Sequence, residues 1–211
     1  WAMAGVRFYQ VISLNYGRHA ATLPHKDVVG FQKSFLAVQE LYFLNAVLTK
    51  TALLMLYHRV FGVSRKFSFA LCVAEVLVVS YFLVCVVLSI VGCQPVSYFW
   101  DKTGQGKCFN EVMFFRANGI ANMLLDVMVL TLPLPMVWRL NLALRQKLAV
   151  TGIFLLGSFT CVVSVFRIVA FEKSNQADPT YTTINTAMWS SIEQSLGIMC
   201  TCLPTLRPIF R

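Results

Sequence analysis

The chain has 211 residues, of which 57% are hydrophobic and 13% are charged, and its mean hydropathy is +0.66. This composition excludes an ordinary soluble domain, in which about a quarter of the residues carry a charge. The net charge of +9 does not indicate nucleic acid binding, because the basic residues are spread over short loops and form no single patch or run.

Six apolar segments predict an all-α fold, a polytopic transmembrane helix bundle. The clearest is residues 67–92, whose 26 residues include one charge, Glu75. As a helix this segment reaches about 39 Å, more than the roughly 30 Å of a bilayer core. The first segment is short and contains Arg7. The six segments are residues 1–15, 35–57, 67–92, 112–137, 148–171 and 182–203.

The charges in the connecting loops alternate along the chain and predict its orientation. The loops at 58–66 and 138–147 and the chain end are basic and contain no acid, whereas those at 16–34, 93–110 and 172–181 carry both signs. Under the positive-inside rule the carboxyl terminus is cytoplasmic. The first residue then also lies inside, and one further span before it would give a seven-helix protein.

Two cysteines lie in a polar loop. Cys93 and Cys108 both fall in the loop at 93–110, on the non-cytoplasmic side by the charge rule. This side is oxidising, so we predict a disulfide between them. The alternative is two free thiols.

Polar residues inside the spans recur at helical spacing. Asn118, Asn122 and Asp126 are four residues apart and therefore lie in one row on a helix face. The last two spans contain similar rows, made of Gly157, Thr160, Ser164 and Arg167 and of Thr182, Thr186, Trp189, Glu193 and Cys200. Three helices would thus bring polar rows to a common interior, as small and polar residues do at helix contacts in membranes.

Charges inside a membrane are costly and are expected to pair in the bundle interior. Lys50 and Asp126 both lie slightly to the cytoplasmic side of mid-span, so we predict that they form an ion pair. Glu75 lies in the cytoplasmic half of its span, where Lys50 is the nearest cation by depth.

Arg167 lies in the outer half of its span. Glu40 is the nearest acid by depth, and Glu193, at mid-span, is the next. The complete predicted interior network consists of Glu40, Lys50, Glu75, Asn118, Asn122, Asp126, Arg167, Trp189 and Glu193.

Such a network indicates either a ligand site or conformational switch, or a purely structural set of contacts that fixes helix register. Transport is less favoured, because no histidine lies within a span and no two acids share a helix face. Catalysis is not indicated either. His19, His25 and His58 lie in loops or at a span's end, where they cannot supply a catalytic base or a metal site within the spans. We expect no enzyme, no metal and no cofactor.

The motifs resemble the fungal rhodopsin-domain integral membrane proteins, a seven-transmembrane, receptor-like family. The third-helix signature is matched by Leu48-Thr49-Lys50 and by the run from Leu56 to Phe61. The resemblance extends over the whole chain. The other matching residues are Tyr16-Gly17-Arg18-His19, Cys93-Gln94-Pro95, Phe99-Trp100, Cys108, Asn122, Asp126, Leu132-Pro133-Leu134-Pro135, Trp138, Gly157, Arg167, Trp189, Glu193 and the run from Cys202 to Pro208.

The resemblance implies a single rhodopsin-like transmembrane domain over residues 1–211 that lacks its first helix and is similar in layout to G-protein-coupled receptors. The polar interior, the outer loop with its two cysteines and the basic inner loops lead us to expect a receptor-like protein of the plasma membrane that senses an extracellular or membrane-borne cue. We expect the lipid bilayer and a heterotrimeric G protein as partners, and the ligand is undefined. A retinal Schiff base is not expected, because it requires a lysine in the last span. That span contains Glu193 and no lysine. The alternatives are a small-molecule or ion transporter and a non-signalling structural membrane partner.

Overall fold

The computed structural model describes residues 2–18, 24–61, 64–101, 105–139, 144–172 and 179–206, and in this part of the chain it is an all-α bundle. The helices are α1 (Ala2–Ser13), α2 (His25–Phe61), α3 (Arg65–Val91), α4 (Glu111–Thr131), α5 (Leu134–Arg139), α6 (Leu144–Glu172), α7 (Pro179–Thr182) and α8 (Ile184–Leu206). The two short strands of the bundle are β1 (Cys93–Gln94) and β2 (Lys107–Cys108).

Each of the six predicted apolar segments coincides with a helix, and the largest differences from the predicted bounds are at the start of α2 and within the segment at 112–137. Helix α2 begins at His25, inside the predicted loop at 16–34. Pro24 lies immediately before it, and Asp27 lies in the first turn, where a negative charge stabilises the helix dipole. The segment at 112–137 is divided after Thr131, because Pro133 has no N–H to continue the helical hydrogen bonds.

Among the residues that the structure describes, three stretches are long and apolar enough to cross a membrane: Arg65–Val91, Glu111–Met136 and Phe154–Phe171. Helix α3 is apolar on all sides, yet it buries one stripe made of Phe67, Leu71, Ala74, Val78 and Cys85. The stripe follows helical spacing. The other faces of α3 expose large apolar side chains, including Phe69 at 72%, as expected for a helix in contact with lipid.

The distribution of polarity is inverted relative to a soluble protein. Large apolar side chains are exposed along α3, α4, α6 and α8, whereas nine polar or charged residues of the described ranges are buried. In a bilayer this is the favourable arrangement, since acyl chains solvate apolar groups and polar groups must find partners inside the protein. The buried polar residues are Gln10, Gln39, Lys50, Asn122, Thr160, Ser164, Arg167, Glu193 and Gln194.

Helix α2 is the centre of the bundle. It packs against α1, α3, α4 and α8, while α6 lies between α4 and α8. Small residues allow close contact between α4 and α6. A methyl group at Gly157 would collide with Leu130, and one at Gly119 would press on Ile168.

Helix α1 is short and covers only one end of α2. Its 12 residues extend about 18 Å, less than a bilayer core. Gln10 is fully buried and donates from Nε2 to Ser34 Oγ at 2.9 Å. The helix is thus fixed to the amino-terminal part of α2.

The loop between α3 and α4 closes the same end of the bundle, which we call the disulfide side. Strands β1 and β2 pair antiparallel with Cys93 opposite Cys108, and these two cysteines form the predicted disulfide. Lys33, near the start of α2, places its ammonium 5.5 Å from the centre of the Trp100 ring. This cation–π contact connects the loop to the central helix.

Removing the disulfide is expected to lower stability. The bridge joins residues 15 positions apart, and closing a loop of this length is worth about 3 kcal/mol in the chain-entropy model. Cys93→Ser/Cys108→Ser should therefore lower the melting temperature of the protein in nanodiscs. Cys72→Ser, which changes an exposed free cysteine, is the control. An unchanged melting temperature in the double variant would show that the loop is held by its other contacts.

Candidate ligand site and its charge network

The first ion pair of the bundle interior joins α2 to α4. Lys50 Nζ lies 2.7 Å from Asp126 Oδ1, with side-chain exposures of 8% and 18%. This is the pairing predicted from the depths of the two residues. Lys50 Nζ also donates to Asn122 Oδ1 at 2.9 Å, so the cation has two partners on one helix.

Asn122 connects the two ion pairs of the network. Its Oδ1 accepts a hydrogen bond from Lys50 Nζ. Its Nδ2 donates to Glu193 Oε1 at 2.7 Å and lies 3.3 Å from Asp126 Oδ2. A side-chain amide suits this position because it offers a donor and an acceptor at once. The four-residue spacing of polar residues thus correctly predicted that Asn122 lies in the bundle interior, where it links α4 to α2 and α8.

The second ion pair joins α6 to α8. Arg167 Nη1 lies 3.1 Å from Glu193 Oε2. Ser164 donates to Glu193 Oε1 at 3.1 Å, and the Tyr42 hydroxyl of α2 lies 3.2 Å from Glu193 Oε2. Arg167 Nη1 also contacts the Tyr42 hydroxyl, and its guanidinium lies 5.1 Å from the centre of the Tyr42 ring.

The network is electrically balanced and spans four helices. Two cations and two carboxylates on α2, α4, α6 and α8 form two ion pairs. Unpaired, each charge would carry a large desolvation penalty at this depth. Mutual pairing and the added hydrogen bonds offset that penalty and fix the register of the four helices.

A cavity of about 90 Å³ lies on the disulfide side of the network. Arg7 and Arg167 both line it, so we call it the arginine cavity. Its walls include Phe35 near the start of α2 and Phe171 near the end of α6. Tyr42 and Arg167 form part of its lining, so the arginine of the second ion pair lies at its surface.

A second cavity of about 60 Å³ lies on the other side of the network. It is lined by Lys50, Asp126 and Glu193 together with Tyr57 and Cys200, and we call it the lysine cavity. The buried charges thus form a polar layer between two cavities.

Two predicted pairings are wrong. Glu40, the predicted first partner of Arg167, instead accepts a hydrogen bond from Ser89 of α3. Glu75 does not take Lys50 but accepts from Thr51 Oγ1 at 2.7 Å. Depth along a span does not specify which face of a helix a residue occupies, and both glutamates lie at the contact between α2 and α3.

Two further residues lie apart from the network. Asn118 belongs to the row of Asn122 and Asp126, but its Oδ1 accepts from the Tyr81 hydroxyl and from Cys85 Sγ of α3. Each four-residue step rotates about 40° around the helix, so two steps turn Asn118 toward a different neighbour. Trp189 stacks on Phe166 at 5.1 Å, a ring that is 51% exposed.

The sequence prediction missed Tyr42, which contacts both members of the second ion pair. The signal was present, since Tyr42 lies eight residues before Lys50 and hence near the same face of α2. Gln194 was also missed. Its Oε1 accepts a hydrogen bond from Asn45 Nδ2 across the contact between α2 and α8.

The described residues contain one cluster of possible metal ligands, Cys93, Cys108 and Glu111. Both sulfur atoms belong to the disulfide, so neither is available as a thiolate ligand. Of the histidines, His25 and His58 are exposed at the two ends of α2, and His19 lies outside the described residues.

Replacing one member of the first ion pair should lower the free energy of unfolding more than replacing both members. Lys50→Met leaves Asp126 without its cation, and loss of one partner from a buried pair costs about 3 to 5 kcal/mol. Asp126→Asn added to Lys50→Met removes the stranded charge and should recover most of that loss. Unfolding in sodium dodecyl sulfate measures both, with the exposed Lys66→Met as control. Equal destabilisation of the single and double variants would contradict a pairwise role.

Comparison with known proteins gives the context of this site. The fungal rhodopsin domain profile matches residues 1–211. A SAT4 family membrane protein of Emericella nidulans is 32% identical over 92% of this chain and 50% of its own length. The polyenoic acids biosynthesis gene cluster protein Ba17b of Metarhizium anisopliae is 27% identical over 97% of the chain and 60% of its own length.

The receptor GIN3 of Arthrobotrys oligospora is 27% identical over 84% of the chain and 43% of its own length. The chain thus spans about half the length of the curated relatives it matches. No solved structure matches it. With a profile match over its whole length and apolar helices that can cross a bilayer, the chain is a membrane protein that belongs to the fungal rhodopsin domain family.

Proposed function

We propose that this protein is a receptor-like membrane protein that senses an extracellular or membrane-borne cue through the arginine cavity. The observation that carries the proposal is the position of the Arg167–Glu193 ion pair. Its Arg167 member lines the arginine cavity on the disulfide side, and its Glu193 member accepts a hydrogen bond from the Tyr42 hydroxyl of α2. A ligand in the cavity would therefore act directly on a contact between three helices.

The ion pair is suited to a switch. A polar ligand that competes for the Arg167 guanidinium weakens its attachment to Glu193 and Tyr42, which lie on two other helices. Differential binding to two arrangements of the pair would shift the population of helix positions. Asn122 carries the change to the Lys50–Asp126 pair, because it bonds to both carboxylates and to the lysine.

The orientation is part of the proposal. Basic loops at 58–66 and 138–147 support a cytoplasmic face opposite the disulfide side, with the carboxyl terminus inside and the protein in the plasma membrane. His58 and Arg59 end α2 on that face and are exposed. They would be available to a heterotrimeric G protein or to anionic lipid. One relative's name, receptor GIN3, supports the same class, and the proposal assigns no catalytic activity.

Coupling to a G protein would depend on Arg59. If the full-length protein in nanodiscs accelerates nucleotide exchange on a Gα subunit of its host, Arg59→Ala should reduce that acceleration about tenfold, the value of one charge-assisted contact. Lys66→Ala, at an exposed basic residue of α3, is the control. Failure to couple with every Gα subunit of the host would contradict the receptor proposal.

The second candidate is a small-molecule or ion transporter. The cavities on both sides of the buried charges favour it, because a transporter opens a midplane site alternately to each side. In this case Asp126, Arg167 and Glu193 would line the path. A receptor can also have two cavities of unequal size on the two sides of a charged layer. A measurement of substrate uptake therefore decides between the transporter and the receptor.

Uptake by proteoliposomes of labelled sodium, amino acids and monocarboxylates tests the transporter. Asp126→Asn and Glu193→Gln should each reduce uptake at least about tenfold, since each removes a charge from the path. Ser191→Ala, on the exposed face of α8, should leave uptake unchanged. Lower abundance of folded protein, with neither uptake nor coupling affected in what remains, would indicate a non-signalling structural partner.

A further inference from the structure

The arginine cavity contains polar atoms that the protein itself does not satisfy. In the part of the chain that the structure describes, four buried side-chain atoms have no hydrogen-bond partner: Arg7 Nε, Gln39 Oε1, Arg167 Nη2 and Thr186 Oγ1. All four residues line this one cavity. Buried polar groups in native proteins are almost always paired, so a concentration of unpaired ones in a single cavity indicates a partner from outside the fold.

Two of these four residues are almost completely buried, as expected for side chains that belong to a preformed binding site. Arg167 and Gln39 each expose 7% of their surface. The guanidinium of Arg167 is held from one side by Glu193 and Tyr42 through Nη1, which leaves Nη2 unpaired. Because the guanidinium is already fixed, little of its own conformational entropy is lost when a ligand binds it.

The charge of the cavity selects an anion. Two guanidinium groups, those of Arg7 and Arg167, line it together with neutral residues. Glu193 compensates the charge of Arg167, while the Arg7 guanidinium interacts with neutral groups, the amide of Gln10 and the hydroxyl of Tyr16. About one positive charge thus remains for the ligand, which matches a monoanion better than a dianion such as phosphate.

The walls select an apolar body. Phe115 lies 4.9 Å from Phe171 and 6.1 Å from Phe35 between ring centres, and these three rings line the cavity together with Val38 and Ile168. A volume of about 90 Å³ is smaller than the roughly 150 Å³ of an engineered cavity that binds benzene. The site therefore suits a short chain or the end of a longer one.

We infer that the arginine cavity binds an organic monocarboxylate with a short apolar body. The carboxylate accepts hydrogen bonds from Arg167 Nη2, Arg7 Nε and the Thr186 hydroxyl, and the apolar body lies against the three phenylalanine rings. Gln39 Oε1 accepts from a bound water or from a hydroxyl of the ligand. This ligand class specifies the cue of the proposed receptor and rests on that proposal only for its signalling consequence.

The test is binding of butyrate to the full-length protein in nanodiscs of neutral phosphatidylcholine, measured by equilibrium dialysis. Butyrate should bind saturably, and butyramide, which controls for partition into lipid, should not. Each added CH₂ should strengthen binding about fourfold, so butyrate, with two more CH₂ groups than acetate, should bind about sixteenfold more tightly. The inference would be overturned if butyramide bound as tightly as butyrate does. It would also be overturned if inorganic phosphate displaced labelled butyrate at a lower concentration than unlabelled butyrate does.

Thr186→Val is the informative variant, because the Thr186 hydroxyl has no hydrogen-bond partner within the protein and its loss should therefore leave the fold unchanged. It should weaken butyrate binding about tenfold, the value of a hydrogen bond to a charged group. Thr49→Val, in the lysine cavity, is the matched control and should bind as the wild type does. Equal effects of the two variants would overturn the assignment to the arginine cavity.

Binding and signalling are read separately. Saturable butyrate binding without any effect on nucleotide exchange by Gα would support the ligand class and contradict the receptor. Coupling to Gα without butyrate binding would contradict the ligand class alone.

Discussion

Pairing of buried charges is the constraint on which the bundle depends. Lipid cannot solvate an ion, so Lys50, Asp126, Arg167 and Glu193 must meet inside the protein, and their pairing holds α2, α4, α6 and α8 in the observed register. Association of helices in lipid has no hydrophobic driving force between apolar surfaces. The specific arrangement must therefore come from polar contacts and close packing, such as Leu130 against Gly157.

A fully satisfied network would be a purely structural feature. The second ion pair departs from this because Arg167 uses one nitrogen for Glu193 and Tyr42 and leaves the other unpaired. Unpaired polar groups at a cavity are tolerated in a stable protein when they serve binding, and they lower stability in exchange. The same residue thus belongs both to the architecture and to the candidate site.

Much of the fold could be predicted from the sequence, because a membrane imposes a simple rule. Long apolar runs such as residues 67–92 must be helical, since no other local structure satisfies their backbone in lipid. The row of Asn122 and Asp126 and the Lys50–Asp126 pair also followed from spacing and depth. The partners of Glu40 and Glu75 did not, because depth leaves the rotation of each helix about its axis undetermined. The unpaired atoms of the arginine cavity could not be found from sequence at all, since an absent partner is visible only in three dimensions.

Helix α2 extends without a proline from Lys33, under the Trp100 ring, to Arg59 at the opposite end. Its 37 residues give a rod about 55 Å long, which is held near its middle by Tyr42 and Lys50. In the proposed receptor such a rod would act as a lever with a central pivot. A rocking motion of about 5° around the buried charges would displace the two ends of the helix by about 2 Å in opposite directions. A small adjustment at Arg167 would then become movement at both ends of α2.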